Sequence, residues 1–183
     1  MGINLTPLKG VYVLDTSVFQ DERGIFTRIF CKNEMAEILG SRHILQINNS
    51  STHLVGSIRG LHYQSPPYAE MKFVRCVKGR VWDVAVDLRA SSPSFLSWYA
   101  QELSAENARM LVIPEGCAHG FQVLEEDSEL LYLTTQFYQP DAEAGVAYND
   151  PTISIEWPMN ATVLSEKDKN HPLLNKQFSG IIL

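Results

Sequence analysis

His62 lies in the stretch Arg59–Gln64 and is the residue of this chain best suited to proton transfer. An imidazole titrates near neutral pH, so it can take up or release a proton under physiological conditions. Alternation along a β-strand predicts that His62 and Gln64 share one face, whereas Arg59 lies on the other. A single histidine at a strand end is more often a hydrogen-bonded structural residue, so a catalytic role requires further groups.

Three other side chains have a strand parity that suits a proton-transfer site. Lys72 shares the parity of Val74 and Cys76, which predicts that it points toward a buried face. A buried lysine is unfavourable unless it is paired, and this favours a functional role. Tyr132 and Tyr138 also share a parity and could project their phenols into a barrel interior, but core tyrosines with hydrogen-bonded hydroxyls would look the same.

Metal and nucleophile chemistry have less support in the sequence. Metal-binding jelly-roll barrels commonly carry two histidines with one residue between them, but Gln64 stands where the second would be. His119 could supply one imidazole, yet a site needs three or four ligands, so we expect neither a metal nor a cofactor. Cys117 shares a strand face with His119, but no third group is placed to orient that pair, and buried packing is the expected role of the thiol.

Composition limits the class of protein and its partners. The chain of 183 residues is 45% hydrophobic and 20% charged, which is typical of one globular domain spanning residues 1–183. A net charge of −6 without any basic run argues against nucleic acid. Three cysteines without metal spacing indicate reduced thiols, and neither a signal core nor a run of transmembrane length is seen. We therefore expect a cytoplasmic protein without a membrane partner.

Glycine and proline divide the chain into short apolar runs, which favours a β-sandwich or barrel. Only Glu34–Leu39 has a helical pattern, with Asn33 as N-cap and Gly40 as the stop signal. Lys78-Gly79 indicates a tight hairpin turn between two runs. The predicted strands, besides the one around His62, are Val11–Leu14, Ile25–Phe30, Phe73–Val77, Val81–Leu88, Met110–Ile113, Phe121–Leu124 and Leu130–Tyr138.

Short motifs along the whole chain are similar to those of one family. They include Asp21–Phe26, Arg59–Gln64, Lys72–Arg75, Asp83–Arg89, Leu103–Asn107, Ile113–Phe121, Asn149–Pro151, Trp157-Pro158 and Leu164–Asp168. In this order they resemble the dTDP-4-dehydrorhamnose 3,5-epimerases, the nucleotide-sugar epimerase branch of the cupins. The resemblance implies an all-β, cupin-type jelly-roll barrel with a few short helices. The barrel core would span about residues 10–140, and a C-terminal segment would carry Asp168.

The resemblance also implies a reaction and assigns roles to individual residues. The reaction is metal-independent epimerisation at C3, C5 or both of a 4-keto-6-deoxy sugar linked to dTDP, CDP or GDP, as in deoxysugar and lipopolysaccharide O-antigen biosynthesis. His62 would be the base, Asp168 its orienting partner and Lys72 the group that stabilises the enolate oxygen. Tyr138, with Tyr132 as a further candidate, would return a proton from the opposite face of the sugar.

Substrate-binding roles follow from the same resemblance. Arg59 and His119 match positions that contact sugar or diphosphate, and guanidinium groups suit phosphate. The positions that match nucleotide-binding residues are Arg23, Phe26, Gln46 and Asn48. The family implies a homodimer in which the N-terminal segment extends the sheet of the partner and completes its nucleotide pocket.

Arg28 stands where the family commonly has an acid. On a regular strand it would share a face with Phe26 and lie near a base stacked on that ring. A guanidinium donates hydrogen bonds and accepts none, so this position favours the acceptor-rich bases of CDP or GDP over thymine. A solvent-exposed arginine, or one paired with Glu22, is the alternative.

Two other functions remain open at this point. A nucleotide-sugar 3,4-ketoisomerase of related fold would relocate the carbonyl instead of inverting a centre. A catalytically silent protein that binds sugar nucleotides would use the same pocket without proton transfer. The full-length resemblance, with His62, Lys72, Tyr138 and Asp168 all present, favours the epimerase.

Overall fold

The computed structural model describes residues 1–183 and is built almost entirely of strands. Neither of its two helices, α1 (Ala36–Leu39) and α2 (Glu166–Lys169), is long and apolar enough to cross a membrane. The predicted all-β class with a few short helices is confirmed. The strands are β1 (Gly2–Leu5), β2 (Tyr12–Asp15), β3 (Val18–Asp21), β4 (Gly24–Thr27), β5 (Gln46–Thr52), β6 (Ile58–Gln64), β7 (Lys72–Lys78), β8 (Arg80–Asp87), β9 (Trp98–Ser104), β10 (Arg109–Ile113), β11 (Cys117–Val123), β12 (Ser128–Thr134) and β13 (Glu143–Gly145).

Eleven strands form two antiparallel sheets, and β3 and β4 form a separate hairpin. The first sheet has the order β1-β2-β10-β7-β12-β5, and the second has the order β13-β6-β11-β8-β9. Their inner faces share one apolar cluster, to which the first sheet contributes Val74 and Leu111 and the second contributes Val81, Ala85 and Phe121. The two sheets therefore pack face to face around a common core, as the predicted jelly roll requires.

The outer faces of both sheets are covered as well. On β8, Val81 and Ala85 face the inner core, whereas Val84 and Val86 join an outer cluster that the C-terminal segment covers with Trp157 and other residues. A strand buried on both faces needs apolar residues at consecutive positions, which explains the apolar run Val84–Val86 in the middle of β8. On the first sheet a similar cluster is covered by α1 and its flanking residues.

The predicted hairpin at Lys78-Gly79 is wrong, because β7 and β8 belong to different sheets. Gly79 turns the chain from one sheet to the other with φ 71°. A Cβ at this position would lie 2.3 Å from Ser128 Oγ, so only glycine fits there. The turn signal was correct, but a turn in the sequence does not show whether the strands on either side pair with each other.

Three other predicted elements are shorter than expected. The strand predicted over Leu130–Tyr138 ends at Thr134, so Tyr138 lies beyond β12. Helix α1 begins at Ala36 rather than Glu34, its N-cap is Met35 instead of Asn33, and Gly40 ends it as predicted, with φ 58°. Strand β4 ends at Thr27, whereas the sequence predicted a strand through Phe30. Five strands were not predicted at all: β1, β3, β5, β9 and β13.

Candidate active site

A cavity of about 730 Å³ opens between the two sheets and has the size of a small-molecule site. Polar side chains from both sheets and from the C-terminal segment line it. All five predicted catalytic residues lie in its wall: His62, Lys72, Tyr132, Tyr138 and Asp168. Four of the predicted substrate-binding residues line it as well: Arg59, His119, Gln46 and Asn48.

A β-bulge brings Arg59 and His62 to the same cavity. His62 lies opposite His119 and Arg59 opposite Phe121, so β6 advances three residues while β11 advances two. The extra residue reverses the alternation along β6. The prediction that Arg59 and His62 lie on opposite faces is therefore wrong. Gly60 makes the bulge possible, since a Cβ there would be 2.6 Å from Gly120 Cα.

His62 is held by a carboxylate from the C-terminal segment. Its Nε2 lies 2.7 Å from Oδ1 of the buried Asp168, and Oδ2 of the same carboxylate accepts a hydrogen bond from the Gly60 N–H at 3.3 Å. Burial opposes the charged form of Asp168, but the hydrogen bond to His62, the charge of His62 and the Gly60 N–H together outweigh it, and the pKa of Asp168 stays below its ordinary value. With Nε2 engaged, Nδ1 is the imidazole nitrogen left for a substrate proton.

The short helix α2 fixes the position of Asp168. Ser165 is its N-cap, and the Ser165 hydroxyl accepts a hydrogen bond from the Asp168 N–H at 3.0 Å. The segment just before this helix adds a backbone hydrogen bond from Ile58 to Val163, which ties it to the start of β6. The base and its carboxylate therefore come from segments more than one hundred residues apart that are joined by these contacts.

Lys72 faces the cavity, as its parity predicted. Val74 lies in the core between the sheets, and Lys72 occupies the same inward row of β7 at the cavity wall. Its ammonium forms a close ion pair with Glu70. Burial lowers the pKa of Lys72 to about 8, while the negative charge of Glu143 opposes this shift by stabilising the ammonium.

The two tyrosines differ in their surroundings. Tyr132 is half-buried on β12, opposite Val74 of β7, and burial raises its pKa. Tyr138 follows the end of β12 and is 54% exposed. Its hydroxyl donates to Glu143 at 2.7 Å, and this hydrogen bond raises the pKa of Tyr138. Glu143 also forms an ion pair with Lys167, so the Tyr138 hydroxyl belongs to a charged cluster at the cavity mouth.

His119 and Arg59 add positive or proton-donating groups to the cavity. His119 Nε2 lies 2.9 Å from a carboxylate oxygen of Asp83, which is fully buried on β8, and that burial raises the pKa of Asp83. The Arg59 Nε donates to Thr52 Oγ1 on β5 at 2.9 Å, so this contact joins the two sheets beside the cavity. Both side chains are therefore oriented by hydrogen bonds before any ligand binds.

Three of the predicted nucleotide-binding residues lie outside this cavity. Arg23 pairs with Asp21 at the tip of the β3–β4 hairpin, and Phe26 is 63% exposed on β4. Arg28 lies beyond the end of β4, and its guanidinium pairs with Glu34 at 2.9 Å. The regular strand that was to place Arg28 beside a base on Phe26 is absent, so the geometric premise for CDP or GDP is wrong.

Residues 5–176 match the family described as dTDP-4-dehydrorhamnose 3,5-epimerase. The chain belongs to this epimerase family. A dTDP-4-dehydrorhamnose 3,5-epimerase from Shigella flexneri is 46% identical over 170 residues, which cover 93% of this chain and 94% of that protein. The crystal structure of one from Elizabethkingia anophelis has a TM-score of 0.90 at 41% identity and covers 97% of this chain and 98% of its own.

A more distant epimerase structure is a 3'-monoepimerase from Streptomyces bikiniensis in complex with dTDP. In that protein one histidine is replaced by asparagine and one tyrosine by phenylalanine. It has a TM-score of 0.87 at 28% identity and covers 93% of this chain and 86% of its own. These matches confirm the predicted epimerase class and the cupin-type jelly roll.

Four residues of this epimerase site were not singled out from the sequence: Glu70, Asp83, Glu143 and Lys167. Asp83 offered a signal, because it has the parity of Val81 and Ala85 on a buried strand and an unpaired acid there would be unfavourable. The other three lie outside the predicted strands, where no periodicity indicates which way a side chain points.

Proposed function

We propose that the enzyme inverts C3 and C5 of a dTDP-linked 4-keto-6-deoxy sugar by proton transfer, without a metal in the catalytic step. One observation carries this proposal: His62 on one sheet, held by Asp168 of α2, faces a cavity whose opposite wall, on the other sheet, carries Tyr132 and Lys72. The names of the relatives support the substrate, and their nucleotide is dTDP.

The first step is removal of the proton next to the C4 carbonyl. Nδ1 of His62 takes this proton, and Asp168 stabilises the imidazolium that forms, because the buried carboxylate lies 2.7 Å from Nε2. Negative charge then develops on the C4 oxygen. The Lys72 ammonium, fixed by Glu70, is the cation in the cavity best placed to stabilise this enolate.

Inversion requires that the new proton arrive from the opposite face of the sugar. Tyr132 meets this requirement because β12 and β6 belong to facing sheets, so its hydroxyl and the His62 imidazole enter the cavity from opposite walls. Burial keeps this phenol protonated at neutral pH. The two residues replaced in the Streptomyces bikiniensis enzyme stand seventy positions apart, as do His62 and Tyr132.

Tyr138 has a second role in this proposal. Its proton already points to Glu143, so its ring and the Glu143–Lys167 pair form the mouth of the cavity and position the sugar. Arg59 binds the diphosphate through its guanidinium N–H groups and His119 contacts the sugar, since hydrogen bonds to Thr52 and Asp83 hold these two side chains in the cavity wall. Gln46 and Asn48, which project inward from the edge strand β5, contact the nucleoside.

We further propose a homodimer in which the β3–β4 hairpin of one protomer covers the cavity of the other. The hairpin pairs with neither sheet of its own chain, and its apolar residues Val18, Phe19, Ile25 and Phe26 are between 43% and 67% exposed. Such an apolar surface is typical of an interface. In this arrangement Arg23 and Phe26 would reach the nucleotide from the partner. A monomer in light scattering with full activity would contradict the dimer.

Deuterium incorporation tests the reaction directly. The enzyme is incubated in heavy water with 4-keto-6-deoxyglucose linked to dTDP, CDP or GDP, after exhaustive treatment with a chelator, and the products are followed by NMR. We expect exchange at both C3 and C5, with inversion, and fastest with the dTDP sugar. A product with the carbonyl at C3 would indicate the ketoisomerase, no exchange a silent binding protein, and activity that returns only with a divalent ion a metal enzyme.

A further inference from the structure

His171 lies beside the proposed base although the mechanism does not use it. It follows α2, and its ring makes an edge-to-face contact with His62 at 5.3 Å between ring centroids. The ring packs onto Gly145 of β13, which pairs with His62 across the sheet. A Cβ on Gly145 would lie 2.4 Å from the His171 ring, so the absence of a side chain at this position creates the space for the imidazole.

The polar end of His171 has no hydrogen-bond partner. Its side chain is only 9% exposed, its Nε2 is buried, and the nearest charged atom is Oδ1 of Asp168 at 3.5 Å. That contact does not have the geometry of a hydrogen bond. An unpartnered buried nitrogen that points at a carboxylate is unfavourable in a protein interior and calls for a ligand.

We propose that His62, Asp168 and His171 form a binding site for a divalent transition-metal ion, with Zn²⁺ as its best representative. One ligand atom from each side chain lies within 4.8 Å of the other two. Around a tetrahedral ion with bonds of about 2.0–2.2 Å, ligand atoms are separated by about 3.3 Å. The observed separations from Asp168 Oδ1, 2.7 Å to His62 and 3.5 Å to His171, lie on either side of that value.

The chemistry of the three ligands also suits such an ion. Two imidazoles and one carboxylate are the protein ligands of many zinc sites that keep a fourth position open. Here the fourth position would face the cavity, because His62 and Asp168 both line it. Hard cations such as Mg²⁺ prefer oxygen ligands and octahedral geometry, so this site would discriminate against them.

A bound ion would prevent His62 from acting as the base, and this consequence rests on the proposed function. With Zn²⁺ on Nε2 of His62, the remaining imidazole proton resides on Nδ1, which must be unprotonated to take a proton from the sugar. The ion also replaces the hydrogen bond between His62 and Asp168. Zn²⁺ is therefore an inhibitor of this enzyme and not its cofactor.

The test is a Zn²⁺ titration of chelator-treated protein, with binding measured by calorimetry and activity by deuterium exchange at C5. We expect one Zn²⁺ per chain, inhibition that follows occupancy, recovery with EDTA and no effect of Mg²⁺. His171→Asn should keep its activity without metal. It should bind Zn²⁺ more weakly by at least the ~10–100-fold that loss of an outer-shell partner costs. His53→Asn is the matched control, because it removes an exposed histidine that also pairs with an aspartate.

Each arm of this experiment has a result that overturns the proposal. Unchanged Zn²⁺ affinity in His171→Asn, or a larger loss in His53→Asn, would overturn the site itself. Zn²⁺ binding to the wild-type enzyme without loss of activity would overturn the proposed inhibition. If wild type shows no exchange with any sugar nucleotide, the proposed function fails, but the calorimetric comparison still decides whether the three side chains bind the ion.

Discussion

Asp168→Asn is the sharpest single perturbation of the proposed mechanism. The amide keeps the shape of the carboxylate but removes its charge and one acceptor. In the structure both carboxylate oxygens accept, one from His62 at 2.7 Å and the other from the Gly60 N–H at 3.3 Å. If the amide oxygen faces His62, the amide NH₂ group faces the Gly60 N–H, and two hydrogen-bond donors then oppose each other without an acceptor. If it is flipped, the NH₂ group faces the imidazole and favours the tautomer with its proton on Nδ1.

The expected magnitude follows from these contacts. A hydrogen bond to a charged group contributes about 1.5–3 kcal/mol. His62 becomes an imidazolium when it takes the proton from the sugar, so loss of its hydrogen bond to the Asp168 carboxylate raises the activation barrier by that amount. This corresponds to a fall in rate of about 10- to 150-fold. His62→Asn removes the base itself and should cost about 10²–10⁴-fold. We therefore expect Asp168→Asn to be slower than wild type but faster than His62→Asn.

The assay is deuterium exchange at C3 and C5 by NMR for wild type, both variants and the double variant, with thermal unfolding as a check on folding. Because the two residues act as a unit, the double variant should be no slower than His62→Asn. Two results would refute the reasoning: an Asp168→Asn variant that folds normally yet is slower than His62→Asn, or one with wild-type rates.

Three further outcomes are expected. Tyr132→Phe should slow inversion about 10²–10⁴-fold while deuterium exchange continues, since His62 can still remove and return a proton on its own face of the sugar. An equal loss of inversion and of deuterium exchange would contradict the role of Tyr132 as the acid. Burial opposes the Asp87 carboxylate, but hydrogen bonds from Arg89 and two serines lower its pKa from 3.8 to about 2. Because the folded-state pKa is lowered, this carboxylate stabilises the fold by about 2 kcal/mol above pH 4, and that contribution is lost as the pH falls toward 2. Asp87→Asn should therefore destabilise the protein to urea at pH 7, about half as much at pH 3, and little at pH 2. Burial raises the pKa of Cys76 to about 11 and of Cys117 to about 12. Iodoacetamide at pH 7.5 should therefore label only the partly exposed Cys31, and mass spectrometry of the treated protein would show which cysteines are modified.

Strand parity predicted the wall of the cavity well where a strand is regular. Lys72 and Val74 alternate correctly because β7 pairs with β10 without interruption from Lys72 to Arg75. The same rule failed for Arg59 and His62, since it assumes one residue of β6 for each residue of β11. The bulge between them depends on the close approach of Gly60 and Gly120. A glycine in a strand indicates that such an irregularity is possible, but not that it occurs.

The missed strand β5 shows why a polar site is difficult to predict from composition. Its sequence contains a single apolar residue, Ile47, so it has no apolar stripe. In the structure its inward positions face the cavity, where Gln46 and Asn48 replace the apolar residues that a core strand would carry. Glu143 and His171 were missed for another reason: Glu143 pairs with β6 through β13, and His171 packs against His62 and Gly145, so both positions are fixed by contacts with residues distant in sequence.

The site also explains why one barrel can be both a stable core and an active site. Along the inward row of β7 the side chains change from the polar Lys72 at the cavity to the apolar Val74 and Cys76 in the core. Along β12 they change in the same way, from Tyr132 at the cavity to Leu130 in the core. Each strand thus contributes its apolar end to the packed interior and its polar end to the cavity. Because the packed part holds the two sheets in register, it fixes the separation of the base on one wall from the acid and the lysine on the other. Variants in the packed half, such as Val74→Ala, should therefore reduce inversion through misplaced side chains as well as reduced stability, since small displacements of catalytic groups are sufficient to slow a reaction.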